Sequence, residues 1–152
     1  MKTLRIYIEN SVVGGYYDKE FQIPTRKLFE LFRNNVYIPV VSDHVFSELY
    51  EGAPEYVINN LNSIDYEIYA VTGEMKELSS KYMSEKIVSK QYYEDALHIA
   101  IATVLSVDIL VSWNFKHIVN FNKIKLFNSV NLRGGYGTLE IRTPQEVIEH
   151  GK

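Results

Sequence analysis

The stretch Tyr93-Glu94-Asp95-Ala96-Leu97-His98-Ile99-Ala100-Ile101-Ala102-Thr103-Val104-Leu105 decides the fold class, together with Val107-Asp108-Ile109-Leu110-Val111-Ser112-Trp113-Asn114 just after it. The body of the first segment is apolar on nearly every face, the pattern of a helix buried on most sides. Its opening turn differs, carrying Glu94, Asp95 and His98. The second segment is a short apolar run bounded by Ser112 and Asn114, which reads as a buried strand. A helix feeding a buried strand, with ionisable groups at its mouth, is where an α/β protein keeps a site.

Working outward from that pair, strands and helices alternate. Leu4 to Ile8 reads as a first strand, with Glu9 at its carboxyl end and Asn10-Ser11-Val12-Val13-Gly14-Gly15 following. The G-x-G-x-x-G spacing of a nucleotide-binding turn is absent there. Pro24 opens a helical pattern with Leu28, Phe29, Leu31 and Phe32 on one side. Val36 to Val41 is a second strand. Ser42 caps the next helix, which places Asp43 in its first turn, Glu48 about a turn later, and Val45, Phe46 and Leu49 inward. Gly52-Ala53-Pro54 breaks that helix and Glu55 to Leu61 resumes it. Tyr66 to Val71 alternates as a half-buried strand does, and Thr72 caps a helix carrying Met75, Leu78, Ser79 and Tyr82. Beyond Asn114, the pattern predicts a short helix over 115–124, a weak edge strand Lys125-Leu126-Phe127 and a loop Arg133-Gly134-Gly135-Tyr136-Gly137. Thr143-Pro144-Gln145-Glu146 is a capping box that predicts a last helical turn from Pro144 to Glu149.

This alternation predicts an α/β fold of three layers, α/β/α, with a central parallel sheet. In such a sheet every connecting helix starts at the strands' carboxyl edge. Glu9, Glu48, Asp95 and Asn114 therefore converge there from four distant parts of the chain. Carboxylates gathered in this way repel one another unless protons or hard cations neutralise them. Oxygen ligands suit Mg²⁺ or Mn²⁺, and paired ions roughly 3.5–4 Å apart activate water and stabilise a leaving oxygen in phosphodiester cleavage.

The 152 residues fit a single domain over 1–152, long enough to bury roughly 70 % of the surface of the unfolded chain. Without cysteine there are no disulfides, thiolate metal sites or cysteine nucleophiles. Met1 to Ile8 lacks the apolar run of a signal peptide, and no run reaches the roughly 18 apolar residues of a membrane span, so a cytoplasmic protein without membrane contact is expected. The net charge of −3 hides an asymmetry. Residues 41–100 hold eleven acids against four bases, and residues 115–142 hold five bases against one acid. A local basic stripe of this kind suits a polyanion, although ordinary solvated surface accounts for it as well.

Four segments carry a resemblance. Tyr7-Ile8-Glu9-Asn10-Ser11-Val12-Val13-Gly14-Gly15-Tyr16, Val41-Ser42-Asp43-His44-Val45-Phe46-Ser47-Glu48, Asp95-Ala96-Leu97-His98-Ile99-Ala100 and Ser112-Trp113-Asn114-Phe115-Lys116-His117-Ile118 together resemble, in this order, the PIN-domain family, which includes the VapC-type toxin ribonucleases. The tail from Gly135-Tyr136 to Pro144 resembles one subgroup. The resemblance implies a three-layer PIN-like fold and a metal-dependent ribonuclease using Mg or Mn held by Glu9, Glu48, Asp95 and Asn114. It also implies Ser11 as the hydroxyl supporting the first acid, RNA and an antitoxin protein as partners, and a homodimer. Ser11 and, among the basic residues of the 115–142 stretch, Lys116 are expected on the substrate side, with Lys116 against the RNA backbone. Two positions depart from the family pattern. Glu9 stands where aspartate is usual and reaches one methylene further, and Asn114 stands where many members carry aspartate, which removes a charge. A PIN-like module that binds RNA or a protein with weakened catalysis is therefore the alternative expectation.

A plainer reading stands beside each residue. Asp95 suits any helix start, and Asn114 suits any cap. A lone histidine beside an apolar helix, such as His98, is most often a satisfied core residue and stays outside the expected site. Lys116 and His117 either touch phosphate or decorate the surface. Tyr16, Tyr17, Tyr92, Tyr93 and Trp113 either stack bases or pack.

Overall fold

The computed structural model describes residues 2–150 and holds, among them, eight α-helices around a five-stranded sheet. The strands are β1 (Arg5–Ile8), β2 (Ile38–Ser42), β3 (Glu67–Tyr69), β4 (Ile109–Val111) and β5 (Glu140–Arg142). The helices are α1 (Asn10–Gly15), α2 (Gln22–Arg33), α3 (Asp43–Gly52), α4 (Glu55–Leu61), α5 (Gly73–Ser84), α6 (Tyr93–Val104), α7 (Phe121–Arg133) and α8 (Pro144–His150). All pairings are parallel, in the order β3-β2-β1-β4-β5. The chain winds outward from β1 to β3 and then crosses back to β4 and β5. Right-handed crossovers put α1 to α4 on one face and α5 to α7 on the other. The packing agrees: α2 lies against α8, and α5 lies against α6 and α7. The expected α/β/α layering with a parallel central sheet is the architecture found.

β1 is the middle strand, with Tyr7 opposite Val40 on one side and Leu110 on the other. Ile6, Tyr7 and Ile8 are fully buried, so neighbours on both faces and both edges fix the direction in which β1 delivers Glu9. α6 is buried from Ala96 to Thr103, as its composition predicts, and its first turn emerges at the sheet's carboxyl edge. The strand order reverses between β1 and β4, which opens a crevice at that edge.

The structure corrects the sequence reading between residues 115 and 142. Residues 115–118 form turns, and the helix runs over Phe121–Arg133, so Lys125-Leu126-Phe127 is helical and the edge strand is Glu140–Arg142. The Asn120 side chain starts α7 by accepting the Lys123 N–H at 3.1 Å. Phe127, Val130 and Asn131 then share its inward face. A buried asparagine interrupts that apolar stripe. Its side-chain oxygen accepts the Tyr82 hydroxyl, and its amide reaches Thr103 Oγ1 at 3.3 Å, so the polar group is satisfied inside the core. β5 gave little signal because Ile141 alone of its three residues is buried.

Two smaller differences follow the same logic. β3 is an outer strand with Ile68 and Tyr69 exposed, rather than half-buried. Asn10 to Gly15 is a helical turn, α1, that the sequence reading did not assign. It needs glycine at its end, because a Cβ on Gly15 would lie 2.9 Å from the Trp113 ring and 3.1 Å from Thr25 Oγ1. Trp113 donates its indole N–H to that Thr25 oxygen at 2.9 Å and stacks on Phe21 at 4.3 Å between ring centres. Trp113 is therefore a packing residue that locks α1 and α2 to the end of β4.

Candidate functional site

The carboxyl edge holds two adjoining clusters. The first lies where β1 and β4 end. Glu9 leaves β1 in extended conformation and caps α1, its Oε2 accepting the Ser11 N–H at 2.9 Å. Its Oε1 accepts the Ser11 hydroxyl at 2.7 Å and the Ser112 hydroxyl at 2.5 Å. Ser11 Oγ in turn accepts the Trp113 N–H at 2.8 Å, and Ser112 Oγ accepts the Asn114 N–H at 2.9 Å. Glu9 is thus a buried acid held by donors from both strand ends.

Asp95 faces this network from the first turn of α6. Burial raises its carboxyl from an ordinary 3.8 to about 6, the negative charges of Glu9 and Glu48 adding to the effect, while His98 and a hydrogen bond from Asn114 oppose it. Asn114 spends its side-chain oxygen on the backbone N–H groups of Lys116, at 3.2 Å, and His117, at 3.0 Å. Its amide is therefore a donor toward Asp95, and its oxygen belongs to the loop after β4.

The second cluster joins α3 to α6. Ser42 caps α3, accepting the Val45 N–H at 3.3 Å, and sets His44 and Glu48 one turn apart. Glu48 Oε1 lies 2.5 Å from His98 Nε2 and 3.4 Å from His44 Nε2. His98 is fully enclosed, with Nδ1 2.8 Å from the Tyr7 hydroxyl, which lies 2.9 Å from Ser42 Oγ. Burial alone works against charge on either member of the Glu48–His98 pair, but their mutual hydrogen bond outweighs it. Glu48 is held below the usual carboxylate range and His98 above the usual imidazole range. His44 is shifted down, first by burial and then by the charge of His98.

Glu9, Glu48, Asp95 and Asn114, predicted from four separate segments, therefore share one edge of the sheet. Ser11 faces inward to Glu9 and Trp113 rather than outward. Lys116 is exposed, with Nζ 5.7 Å from the centre of the Tyr92 ring. His117 is buried under the same ring at 3.8 Å between centroids, which removes it from contact with solvent-borne phosphate. Sequence reasoning left out His44 and His98. The available signals were spacings: His44 and Glu48 at i, i+4 on one helix, and Asp95 and His98 at i, i+3 on another.

Three acids at one edge suit a hard divalent cation in chemistry. The Asp95 carboxyl is raised first by burial and then by the charges of Glu9 and Glu48, and a bound cation would oppose both effects. No helix among the described residues is long and apolar enough to cross a membrane.

No protein-family model matches this sequence, and no curated protein matches it significantly. Among solved structures, the fold is similar to VapBC2 from Rickettsia felis, crystallised bound to a DNA fragment from its promoter, with a TM-score of 0.61 and 15 % identity over 92 % of this chain and 98 % of that one. It is also similar to the tyrosyl-tRNA synthetase of Archaeoglobus fulgidus complexed with L-tyrosine, with a TM-score of 0.52 and 13 % identity over 94 % of this chain and 55 % of that one. At these identities the likeness is one of fold.

Proposed function

We propose that this chain is a metal-dependent ribonuclease that cleaves RNA phosphodiester bonds and serves as the toxin of a toxin–antitoxin pair. The observation that carries the reading is the convergence of Glu9, Glu48 and Asp95 at the crevice beside β1, with the Asp95 carboxyl pushed up to about 6 by burial and by the charges of its neighbours. Glu9, Glu48 and Asp95 would hold Mg²⁺ or Mn²⁺, which when bound lowers the pKa of a water and stabilises charge on a phosphoryl oxygen.

The remaining roles belong to the chain itself. Ser11 and Ser112 fix the rotamer of Glu9 through three hydrogen bonds. Asn114 donates to Asp95 and orients it. Lys116, exposed at the rim on the basic side of the sequence, would meet the RNA backbone as a point charge. The fold-level similarity to VapBC2 supports an antitoxin protein as partner. A homodimer in the cytoplasm completes the reading.

The test is cleavage of a mixed single-stranded RNA pool with Mn²⁺, Mg²⁺ or chelator, comparing the wild-type chain with Asp95→Asn. Metal-dependent cleavage that drops at least about 100-fold in the variant is the expected result. No cleavage by a folded, antitoxin-free wild type overturns it.

One observation favours a second reading, a PIN-like binding module with weakened catalysis. Glu9 is satisfied by serines and Glu48 by His98, so two of the three acids are already paired without a cation. RNA binding that is unchanged by metal, chelator or Asp95→Asn is the outcome that selects this module.

A further inference from the structure

We propose that His44, Glu48 and His98 form a three-ligand site for a borderline first-row transition ion, taking Zn²⁺ in preference to Mg²⁺. The site stands on its own geometry and holds whether or not the chain cuts RNA. It shares Glu48 with the oxygen cluster of Glu9 and Asp95, but its other two donors are nitrogens.

One donor atom from each of the three residues lies within 4.8 Å of the other two. The two imidazole nitrogens flank the same carboxylate oxygen, at 3.4 Å for His44 and 2.5 Å for His98. Tetrahedral donors bonded at about 2.0–2.2 Å to one ion stand about 3.3–3.6 Å apart; the His44–Glu48 separation already matches, and the His98–Glu48 contact would open by about 1 Å as the ion replaces the shared proton. Small rotamer adjustments of His44 and Glu48, the two partly accessible members, close the set.

A second observation points to a ligand. His44 Nε2 is out of contact with water and has no hydrogen-bond partner. A buried polar atom left without a partner is costly and calls for an explanation. This one belongs to a side chain 12 % exposed, beside Glu48 and His98, the groups placed to share a metal with it.

The support around His98 is that of a ligand. Its ring is 1 % exposed and cannot swing away. Tyr7 stands 2.8 Å from Nδ1 and also bonds Ser42 at 2.9 Å. Without a bound ion, Nε2 shares a proton with Glu48. An incoming ion would displace that proton, and Nδ1–H donating to the Tyr7 oxygen, with the Tyr7 hydroxyl donating to Ser42, would then leave the Nε2 lone pair free to ligate. Ligating histidines are oriented by this kind of outer hydrogen bond. Two imidazoles and one carboxylate select a borderline ion over a hard one, and helices α3 and α6 provide them from a rigid base.

The experiment uses the tag-free full chain, stripped with chelator and exchanged into metal-free buffer. Co²⁺ serves as the optical and paramagnetic probe, followed by Zn²⁺ and Mg²⁺ as competitors. The proposal expects Co²⁺ to give the ring protons of His44 and His98 the large contact shifts of direct ligands, far exceeding those of buried His117. It expects Zn²⁺ to displace Co²⁺ and a large excess of Mg²⁺ to leave it in place. His44→Ala should weaken Zn²⁺ binding by about tenfold or more, while Asp95→Asn leaves it unchanged. Unshifted His44 and His98 rings in the wild-type protein overturn the proposal. So does displacement of Co²⁺ by Mg²⁺, or a loss of Zn²⁺ binding in Asp95→Asn as large as in His44→Ala. The ring shifts are read on the wild-type chain, so they test the site even where a variant fails to fold.

Discussion

Asp95 and Glu48 lie at the same edge of the same sheet, both partly buried, and they shift in opposite directions. Asp95 sits between β1 and β4 beside Glu9, which is itself satisfied by Ser11 and Ser112, and the Asn114 amide, and the charge of His98 opposes its shift without reversing it. Glu48 sits between α3 and α6 against His98 and His44. Burial penalises both charges, and only Glu48 has a direct hydrogen bond from the His98 imidazole to overcome it. Proximity to a sheet edge therefore does not set the chemistry of an acid. The residues delivered by the neighbouring elements do.

The strongest way to break this contrast is to remove the histidine that makes it. His98→Ala strips Glu48 of its closest partner and leaves the Tyr7 hydroxyl with Ser42 alone, besides opening a cavity in the core. A loss of about 3 kcal/mol in urea denaturation is expected. A loss below about 1 kcal/mol means that the Glu48–His98 pair contributes nothing net and that water replaces the ring.

A second substitution loads the other side. Gly15→Ala places a methyl group against Trp113 and Thr25, behind the strand end that supplies Ser112 and Asn114. Overpacking of this kind costs about 1–3 kcal/mol, and displacement of Trp113 should appear as a change in its fluorescence. An unchanged midpoint and spectrum show that the indole has room to retreat.

The sharpest test is a pair of neutralising substitutions with opposite signs. The folded chain holds the Asp95 proton up to about pH 6 and the unfolded chain loses it near 3.8. Stability therefore falls as pH rises through that window in metal-free buffer. Asp95→Asn escapes the loss, so it should match wild type below about pH 4 and gain about 1 kcal/mol above pH 6, after allowance for solvent at this part-exposed side chain. Glu48→Gln should do the reverse. Its charge is stabilised in the fold, so the benefit is present above the ordinary carboxylate value and disappears as pH falls. Melting curves of both variants from pH 3.5 to 8 decide the matter, and two shifts of the same sign refute the contrast.

The smallest expected effect concerns the support behind His98. Tyr7→Phe keeps the packing and removes the hydroxyl between Ser42 and His98, at a cost of about 1 kcal/mol in denaturant titrations. No change indicates that Ser42 and His98 bond each other or water when the hydroxyl is gone.

Legibility in the sequence followed how local each signal was. The first two strands, the buried helix α6, the capped helices α3 and α5 and the terminal α8 all carry their own pattern, and they give the layered parallel architecture. The region after Asn114 misled because Asn131 replaces an apolar residue on the inner face of α7, and because β5 buries a single side chain. The partners that make a buried asparagine acceptable there, Tyr82 and Thr103, lie 49 and 28 residues away.

For the candidate site, the residue types at the ends of strands and the starts of helices placed Glu9, Glu48, Asp95 and Asn114 at one edge, because in a parallel sheet that edge is fixed by topology. His98 read as a core residue from its own helix, and it is buried. That its ring reaches Glu48 on one side and Tyr7 on the other, with His44 beside it, depends on how α3 and α6 cross over the ends of β1 and β2. Periodicity and caps are properties of neighbouring residues, and the chain records them directly. Which donors meet across a crevice depends on contacts 50 and 91 residues apart, and only the packed sheet brings those groups within hydrogen-bonding distance.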